Sequence, residues 1–294
     1  MSFSCRVSGL LVGGLLLAGG PGVSRDYHLT PAALSVLSSG DVVILDPVLG
    51  LFRYRPGSGK VVPLVDGFGL YEGVDVQVAT IGGTESIFVT QVPRSTAGGA
   101  RLVRFNLEGR EKGEWVLPPG KKRCSGVAID AQVPVAYVVS PQTAEIFKFD
   151  LRKPRTSPRP LAKISQEGGL GPMILDGKRR RLLIADVALG ALYAVDIDTG
   201  KSARLVKDVG EPSALALDAK QDELLVSDAS GRRLWSVGLA GKDPKPQIFA
   251  RLKEFEEPTG LTLSSDGSVW VGDVDKGRLF QVSRDGKLVN TIKL

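Results

Sequence analysis

The feature that most constrains this chain is a short stretch that it repeats. Residues 224–237 read LLVSDASGRRLWSV, and similar stretches stand at 182–195 (LLIADVALGALYAV) and 269–282 (VWVGDVDKGRLFQV). Each has an apolar run that ends in Asp, a small turn, and a second apolar run with an aromatic residue. Short runs of Val, Leu and Ile bounded by Gly, Asp or Ser are typical of β-strands. A chain that repeats such a hairpin is expected to build a repeat fold.

Extending the alignment divides the chain after residue 30 into six units, each with four short apolar runs. The 36 Gly and 18 Pro residues interrupt the chain too often for long helices. A period of roughly 40–50 residues with four strands is typical of a β-propeller blade, whose sheet buries both faces only between neighbouring blades. The predicted blades span about 31–65, 72–117, 124–162, 171–206, 211–250 and 257–294.

The sequence therefore predicts an all-β fold, a six-bladed β-propeller of four-stranded antiparallel blades, in a single domain at 25–294. We name the strands of each blade A to D in chain order, with strand A lining the central channel. The first and last units each contain all four strands, so blade 6 is expected to close the ring by packing on blade 1. The segment at 26–29 is expected to add an edge contact.

Two residue types recur at fixed places in the units. An Asp ends strand B in four units, and an aromatic residue follows seven positions after the end of strand B in units three to six. Asp side chains accept backbone N–H groups in tight turns, and aromatic rings pack well between sheets. We therefore expect structural roles for both. The strand-B residues are Asp46, Gln91, Ser140, Asp186, Asp228 and Asp273, and the aromatic residues are Phe147, Tyr193, Trp235 and Phe280.

The last two units resemble NHL repeats. EPTGLTLSSDGSVWVGDVDKGRLFQV (257–282) and EPSALALDAKQDELLVSDASGRRLWSV (211–237) share a start with Pro, an apolar run, a turn, a run ending in Asp, a small turn, Arg and an aromatic residue. More broadly, residues 30–294 are similar to the six-bladed propellers of the SMP-30/gluconolactonase/luciferin-regenerating group, most clearly in units four to six. Because propellers host many unrelated activities, the resemblance predicts the fold more than the function.

The first 24 residues carry a different pattern. Arg6 precedes an apolar stretch from Leu10 to Ala18, and small residues follow. This is the layout of a secretory signal peptide, and the apolar stretch is shorter than the roughly 20 residues that span a bilayer. We expect a cleaved signal at 1–24, an exported protein in the periplasm or outside the cell, and no transmembrane domain in the mature chain. The alternative is an uncleaved N-terminal anchor.

The residue inventory argues against several kinds of active site. Cys5 would leave with the signal, so Cys124 would have no disulfide partner and is expected to be buried. The single histidine, His28, precedes the first blade, which disfavours a Ser–His–Asp set and a zinc site of His and Cys. The chain also lacks a phosphate-binding loop and a dinucleotide-binding motif. No catalytic residue and no cofactor are predicted.

Residues near the start of strand A are the candidate ligands, because this end of strand A meets the mouth of the channel. Carboxylates there are able to bind a divalent cation such as Ca²⁺, although solvated loop carboxylates are the more common case. The candidates are Glu72, Asp75, Ser125, Glu211, Ser213, Glu257 and Thr259.

The resemblance implies a divalent metal held by Glu in a Glu-Gly context and by Asn and Asp in Pro-Asn-Gly and Pro-Asp-Gly contexts. Glu72-Gly73 matches the first context, but Ser213 and Thr259 stand where the amide and the second carboxylate are expected. Hydroxyl groups are poorer ligands than carboxylates. The sequence therefore favours a binding or scaffold module for a partner protein or small ligand at the channel face. A metal-dependent lactonase is the alternative.

The basic residues cluster in a chain of formal net charge +6. One group lies in the C–D loop of unit three and another in the A–B turn of unit four, which share the opposite, bottom face of the propeller. Such a patch would meet an anionic surface or an acidic partner, or remain solvated. Nucleic acid is not expected, because no aromatic residues are interleaved for stacking. The predicted patch comprises Arg152, Lys153, Arg155, Arg159, Lys178, Arg179, Arg180 and Arg181.

Overall fold

The computed structural model describes residues 28–95, 98–164, 169–241 and 243–294. In these ranges, 24 strands form six four-stranded antiparallel sheets, each made of four consecutive strands. A 3-10 helix at Gly177–Arg179 follows one of the strands. The predicted six-bladed β-propeller is confirmed. The predicted signal peptide lies outside the described residues, and the described part of the chain contains no helix long and apolar enough to cross a membrane.

The strands follow the six repeat units in order. Blade 1 contains β1 (Ala33–Val36), β2 (Val42–Asp46), β3 (Gly50–Arg55) and β4 (Lys60–Asp66); blade 2 contains β5 (Tyr71–Ile81), β6 (Thr84–Pro93), β7 (Arg101–Phe105) and β8 (Glu111–Val116). Blade 3 contains β9 (Val127–Asp130), β10 (Val135–Ser140), β11 (Glu145–Asp150) and β12 (Arg159–Lys163); blade 4 contains β13 (Leu170–Asp176), β14 (Arg181–Asp186), β15 (Ala191–Asp196) and β16 (Ser202–Val206). Blade 5 contains β17 (Pro212–Asp218), β18 (Glu223–Asp228), β19 (Arg233–Gly238) and β20 (Pro246–Ala250); blade 6 contains β21 (Pro258–Leu263), β22 (Val269–Asp273), β23 (Arg278–Val282) and β24 (Leu288–Lys293).

The core of the protein lies between the blades. Six clusters of buried apolar side chains occupy the six places where neighbouring blades meet. Phe147 packs between blades 2 and 3, Tyr193 between blades 3 and 4, and Phe280 between blades 5 and 6. The half-buried Trp235 packs against the cluster between blades 4 and 5. The expected role of these aromatic residues is confirmed.

Asp228 shows what the Asp at the end of strand B does. Its Oδ1 atom accepts hydrogen bonds from the backbone N–H groups of Glu211 and Gly231, both at 2.9 Å. Its Oδ2 atom accepts from Arg233 Nε at 2.8 Å and from Trp235 Nε1 at 3.2 Å. Burial opposes ionisation of Asp228, but these hydrogen bonds outweigh it and lower the pKa. One carboxylate thus joins the B–C loop to the segment that leads into strand A.

The same link recurs in two other blades. Asp46 accepts from Val48 N in its own B–C loop at 2.9 Å and from Thr30 N ahead of strand A at 2.8 Å. Asp273 accepts from Lys276 N at 3.1 Å and from Glu257 N at 3.1 Å. Their structural role is therefore confirmed.

The ring closes between blade 6 and blade 1 through a sixth apolar cluster. Trp270 packs edge-on against Tyr54, with ring centroids 5.6 Å apart, and Leu29 is buried in the same cluster. Leu29 provides the edge contact that was expected from this segment. The backbones approach so closely that a Cβ atom on Gly272 would lie 2.4 Å from the carbonyl oxygen of Pro31, so this position requires glycine.

Truncation of Trp270 is predicted to open the closure. Trp270 is 2% exposed, and Trp270→Ala should lower the free energy of unfolding by about 3–5 kcal/mol, because it leaves a cavity between blades 6 and 1. Denaturation in urea measures this change. Val289→Ala in the same blade removes a side chain of a residue that is 59% exposed and should cost less than ~0.5 kcal/mol. Equal losses in the two variants would contradict closure through this cluster.

Candidate binding site in the central channel

A cavity of about 660 Å³ lies where the first strands of the six blades meet. Strand A of each blade, or the residues leading into it, contributes to the wall. Many wall residues are aliphatic or small, and Val74, Ile174, Leu217 and Leu263 are partly exposed among them. The interior of the ring is therefore a pocket that combines aliphatic surface with a comparable share of polar surface.

A break in register aims one residue of strand A into this cavity. In blade 5, Pro212 pairs with Asp228 and Ala214 pairs with Ser227, which leaves Ser213 as an extra residue. Such a bulge re-aims the side chain of the extra residue, and Ser213 lines the cavity. In the same way, Thr259 is the extra residue in blade 6.

Blade 2 has the same break in register, and it places in the cavity a residue that was not among the predicted ligands. Gly73 pairs with Gln91 and Asp75 pairs with Thr90, so Val74 is the extra residue and lines the cavity. Sequence reasoning missed Val74. Aligning Glu72-Gly73-Val74 with Glu211-Pro212-Ser213 would have found it.

The structure brings six of the seven predicted ligands to the cavity wall and leaves out the seventh. Glu72 is absent from the lining: its side chain is 48% exposed, and a carboxylate oxygen lies 3.8 Å from Arg94 Nε. The residues that line the cavity are Asp75, Ser125, Glu211, Ser213, Glu257 and Thr259.

Asp75 has the most unusual environment among these residues. Its Oδ1 atom accepts from Val76 N at 2.8 Å and its Oδ2 atom from Val127 N at 2.9 Å. Its own N–H group donates to Thr90 Oγ1 at 3.1 Å. Burial raises the pKa of Asp75 to about 7, although the two backbone hydrogen bonds oppose the rise. The cavity wall therefore carries a carboxyl group that titrates near neutral pH.

The hydroxyl groups of the wall are already engaged as donors. Ser213 Oγ donates to Pro258 O at 2.7 Å, and Ser125 Oγ donates to Leu170 O at 3.0 Å. Each of these bonds crosses to the next blade. Because a hydroxyl has a single hydrogen and two lone pairs, Ser213 Oγ then accepts from Ser227 Oγ at 2.9 Å. Ser213 keeps one lone pair for a molecule in the cavity, and Ser125 Oγ can accept there as well.

Two further carboxylates lie at the top of the cavity. Glu211 and Glu257 immediately precede strands A of blades 5 and 6 and line the cavity. Burial raises the pKa of Glu257, and the nearby charges of Asp275, Asp273 and Glu211 add to the rise. This end of the cavity is therefore acidic.

Cys124 lies next to this site but is buried, as expected. Burial raises the pKa of its thiol to about 12, and Sγ lies 3.5 Å from Gln91 O, to which it donates. A thiol with such a pKa remains protonated at neutral pH and is a poor nucleophile.

The residues present do not fit the divalent metal that the resemblance implies. Glu72 lies outside the cavity, and the Ser213 hydroxyl is committed to a carbonyl of the next blade. Within the described ranges, no three side chains of His, Cys, Asp or Glu stand close enough to hold a metal ion.

Four carboxylates pair with five of the eight residues of the predicted basic patch. Arg179 pairs with Asp222 of blade 5 at 2.5 Å, and Arg180 pairs with Asp198 at 2.7 Å. The remaining pairs join Arg152 to Asp150, Arg181 to Asp176 and Lys178 to Asp222.

The other three residues of the predicted patch differ from this group in their ion pairing. Lys153, Arg155 and Arg159 form no ion pair within the described parts of the chain. Arg155 donates its backbone N–H to Glu114 O of blade 2, whereas Arg179 reaches towards blade 5. Binding of the patch to an anionic surface stays a prediction.

Comparison with known proteins agrees with this geometry. Residues 170–294 match the family model of the SMP-30/gluconolactonase/LRE-like region. The match covers blades 4 to 6, the units in which the resemblance was clearest, and confirms it there. No curated protein sequence matches the chain significantly.

Solved structures share the fold at low sequence identity. The chain is similar to a structure from a nidogen/laminin complex (TM-score 0.70, 13% identity, covering 86% of this chain and 93% of that one). It is also similar to streptogramin B lyase (TM-score 0.66, 12% identity, 92% and 85% covered). A third is an auxiliary nutrient binding protein from Bacteroides thetaiotaomicron (TM-score 0.66, 12% identity, 85% and 68% covered). At such identities the likeness shows the fold alone.

Asp75 predicts a pH dependence of stability. Because its pKa is raised from 3.8 to about 7 in the folded state, the folded protein holds this proton more tightly than the unfolded chain. The resulting stabilisation is fully present below about pH 4 and is lost as the pH rises through 7. The free energy of unfolding should therefore fall relative to Asp75→Asn between pH 4 and 8, by up to about 4 kcal/mol.

Urea denaturation of both proteins across this pH range measures the difference. Glu72→Gln, which removes a carboxylate outside the cavity, should follow the wild-type protein at every pH. Curves for the wild-type protein and Asp75→Asn that stay parallel from pH 4 to 8 would show that Asp75 titrates normally.

Proposed function

We propose that the chain is an exported binding or scaffold module that holds a small ligand or a partner protein at the channel face. The observation that carries this proposal is the central cavity. Its volume of about 660 Å³ falls in the range of small-molecule sites, which combine an apolar wall with a few polar groups. This feature favours a small ligand over a partner protein. Export rests on the signal-like pattern of residues 1–24.

The site residues favour binding over catalysis. The hydroxyl groups donate to carbonyls of neighbouring blades, and the nearby thiol of Cys124 has a pKa of about 12. No nucleophile next to a base is found among the wall residues that the structure describes. Two similar structures, one from a nidogen/laminin complex and one of a nutrient binding protein, are by name those of proteins that bind a partner or a nutrient.

A metal-dependent lactonase is the alternative function. It is supported by the family match of residues 170–294. The position of Glu72 and the hydroxyl groups at Ser213 and Thr259 weigh against it, because no three His, Cys, Asp or Glu side chains in the described ranges stand close enough to hold a metal ion.

A thermal melt of the metal-stripped protein separates the two functions. A ligand of the folded state at a hundredfold excess over its dissociation constant adds roughly 2.7 kcal/mol of stability. With Ca²⁺, Mn²⁺ or Zn²⁺ added, we expect no rise in the melting temperature that depends on Glu72. Glu111→Gln, which alters an exposed glutamate on the outer strand β8, is the matched control. A rise that Glu72→Gln abolishes and Glu111→Gln preserves would support the lactonase.

Filling the channel tests the location of the ligand. Val74 lines the cavity, so Val74→Trp should place an indole there and prevent binding. We expect compounds that stabilise the wild-type protein in thermal melts to lose their effect in this variant. Val289→Trp on the exposed outer strand serves as the control. Compounds that stabilise all three proteins equally would place the binding site elsewhere.

A further inference from the structure

The charge of the cavity is opposite to that of the chain. The chain has a formal net charge of +6, yet the described residues of the cavity wall include three carboxyl groups and no Lys, Arg or His. The three are Asp75, Glu211 and Glu257. A cleft lined by charges of one sign focuses their field, because its protein walls have a lower dielectric constant than water. Cations are therefore favoured in the cavity and anions are disfavoured.

The neutral polar groups of the wall point to the same class of ligand. Ser125 and Ser213 use their hydrogens on the carbonyl groups of Leu170 and Pro258. Their oxygen atoms therefore act as acceptors towards the cavity. A ligand that donates hydrogen bonds can use these groups, whereas a carboxylate or phosphate would face lone pairs.

Asp75 supplies the charge that such a ligand requires. Each of its oxygen atoms accepts one backbone N–H group, from Val76 and from Val127. A carboxylate has about four acceptor sites, so further sites remain. No cationic side chain forms an ion pair with Asp75 within the described residues. When ionised, this carboxylate is held by hydrogen bonds but has no counterion among the residues that the structure describes.

The rest of the wall favours an organic body on the ligand. Val74, Ile174, Leu217 and Leu263, which are only partly buried, lie around the polar groups. A small hydrated metal ion would leave this apolar surface unused, whereas a hydrocarbon skeleton would cover it and gain the free energy of apolar burial.

We propose that the central cavity binds an organic ammonium cation, with its charged nitrogen beside Asp75 and its apolar body against the aliphatic wall. This inference rests on the proposed function, because it needs a ligand in the channel, and it adds the chemical class of that ligand. Asp75 acts as the counterion, and the hydroxyl oxygens of Ser125 and Ser213 accept hydrogen bonds from the ligand.

The titration of Asp75 gives this binding a pH dependence. The pKa of Asp75 is raised to about 7 by burial, so a bound cation favours loss of its proton. Around Asp75, the thiol of Cys124 stays neutral because burial raises its pKa to about 12. Glu211 and Glu257 are the other carboxyl groups of the cavity wall, and the pKa of Glu257 is also raised. Lowering the pH below 7 should therefore weaken the binding of a cation.

The experiment uses three series of compounds with matched carbon skeletons: amines, alcohols and carboxylates, including 2-phenylethylamine, 2-phenylethanol and 3-phenylpropanoate. Thermal melts and titration calorimetry of the full chain at pH 8 measure binding. We expect amines to bind and carboxylates not to bind. Asp75→Asn should weaken the amines roughly tenfold or more, because it removes the charged acceptor. Glu72→Gln should leave their affinity unchanged.

A second measurement needs no substitution at Asp75. Benzyltrimethylammonium keeps its charge at every pH, so any pH dependence of its binding comes from the protein. With a pKa of about 7 for Asp75, its affinity should fall about tenfold between pH 8 and pH 6 as the carboxylate becomes protonated. Glu257→Gln should retain most of this fall. An affinity that is constant from pH 8 to 6 would overturn the role of Asp75.

The outcomes distinguish this inference from the proposed function. Alcohols or carboxylates that bind as tightly as amines, and whose binding is lost in Val74→Trp but kept in Asp75→Asn, would overturn the cationic ligand and leave channel binding intact. If no compound of any series stabilises the protein, the result counts against channel binding itself.

Discussion

The carboxylate that ends strand B is the interaction on which the channel depends. Asp228 binds the backbone N–H of Glu211, just before strand A, and that of Gly231 in its own B–C loop. This double link fixes where strand A begins relative to strand B. The register break follows at the next residue, and it aims Ser213 into the cavity. The same register break occurs in blade 2, where Gln91 replaces the Asp, so the carboxylate stabilises the blade beside the break and does not cause it.

The repeat and its period were enough to predict the propeller, because they follow from the alternation of short apolar runs and turns. The Asp and aromatic positions were predictable for the same reason. The position of Glu72 was not, since β5 extends back to Tyr71 and holds Glu72 within the strand, paired with Val92, whereas Glu211 and Glu257 precede their strands. Glu72 pairs with Arg94 outside the cavity, whereas Asp75, three positions later, is in the wall. Sequence similarity identified the Glu-Gly motif, but it did not show that the side chain of Glu72 lies outside the cavity.

The basic patch shows a second limit of sequence reasoning. A run such as GKRRR at 177–181 shows how many cationic side chains one turn contains. Some of the carboxylates that pair with them come from elsewhere in the ring. Arg179 meets Asp222, 43 positions away in the next blade. In a propeller, A–B turns of adjacent blades lie side by side, so the net charge of the bottom face depends on the side chains of neighbouring turns together. The resulting bottom face is an array of ion pairs with a smaller excess of positive charge.

Asp75 links the channel to two blades whose sequences depart from the repeat pattern at the end of strand B. Blades 2 and 3 have Gln91 and Ser140 where the other blades have Asp, and within the described residues Asp186 of blade 4 accepts only from its own B–C loop. Asp75 of blade 2 instead accepts the N–H of Val127 in blade 3 at 2.9 Å. Burial of the ionised carboxylate costs stability, and a bound cation would offset that cost. Because ionised carboxylates accept hydrogen bonds more strongly than protonated ones, the cation would then also strengthen the hydrogen bond between these two blades. Ligand binding and the integrity of the ring would then depend on the same proton.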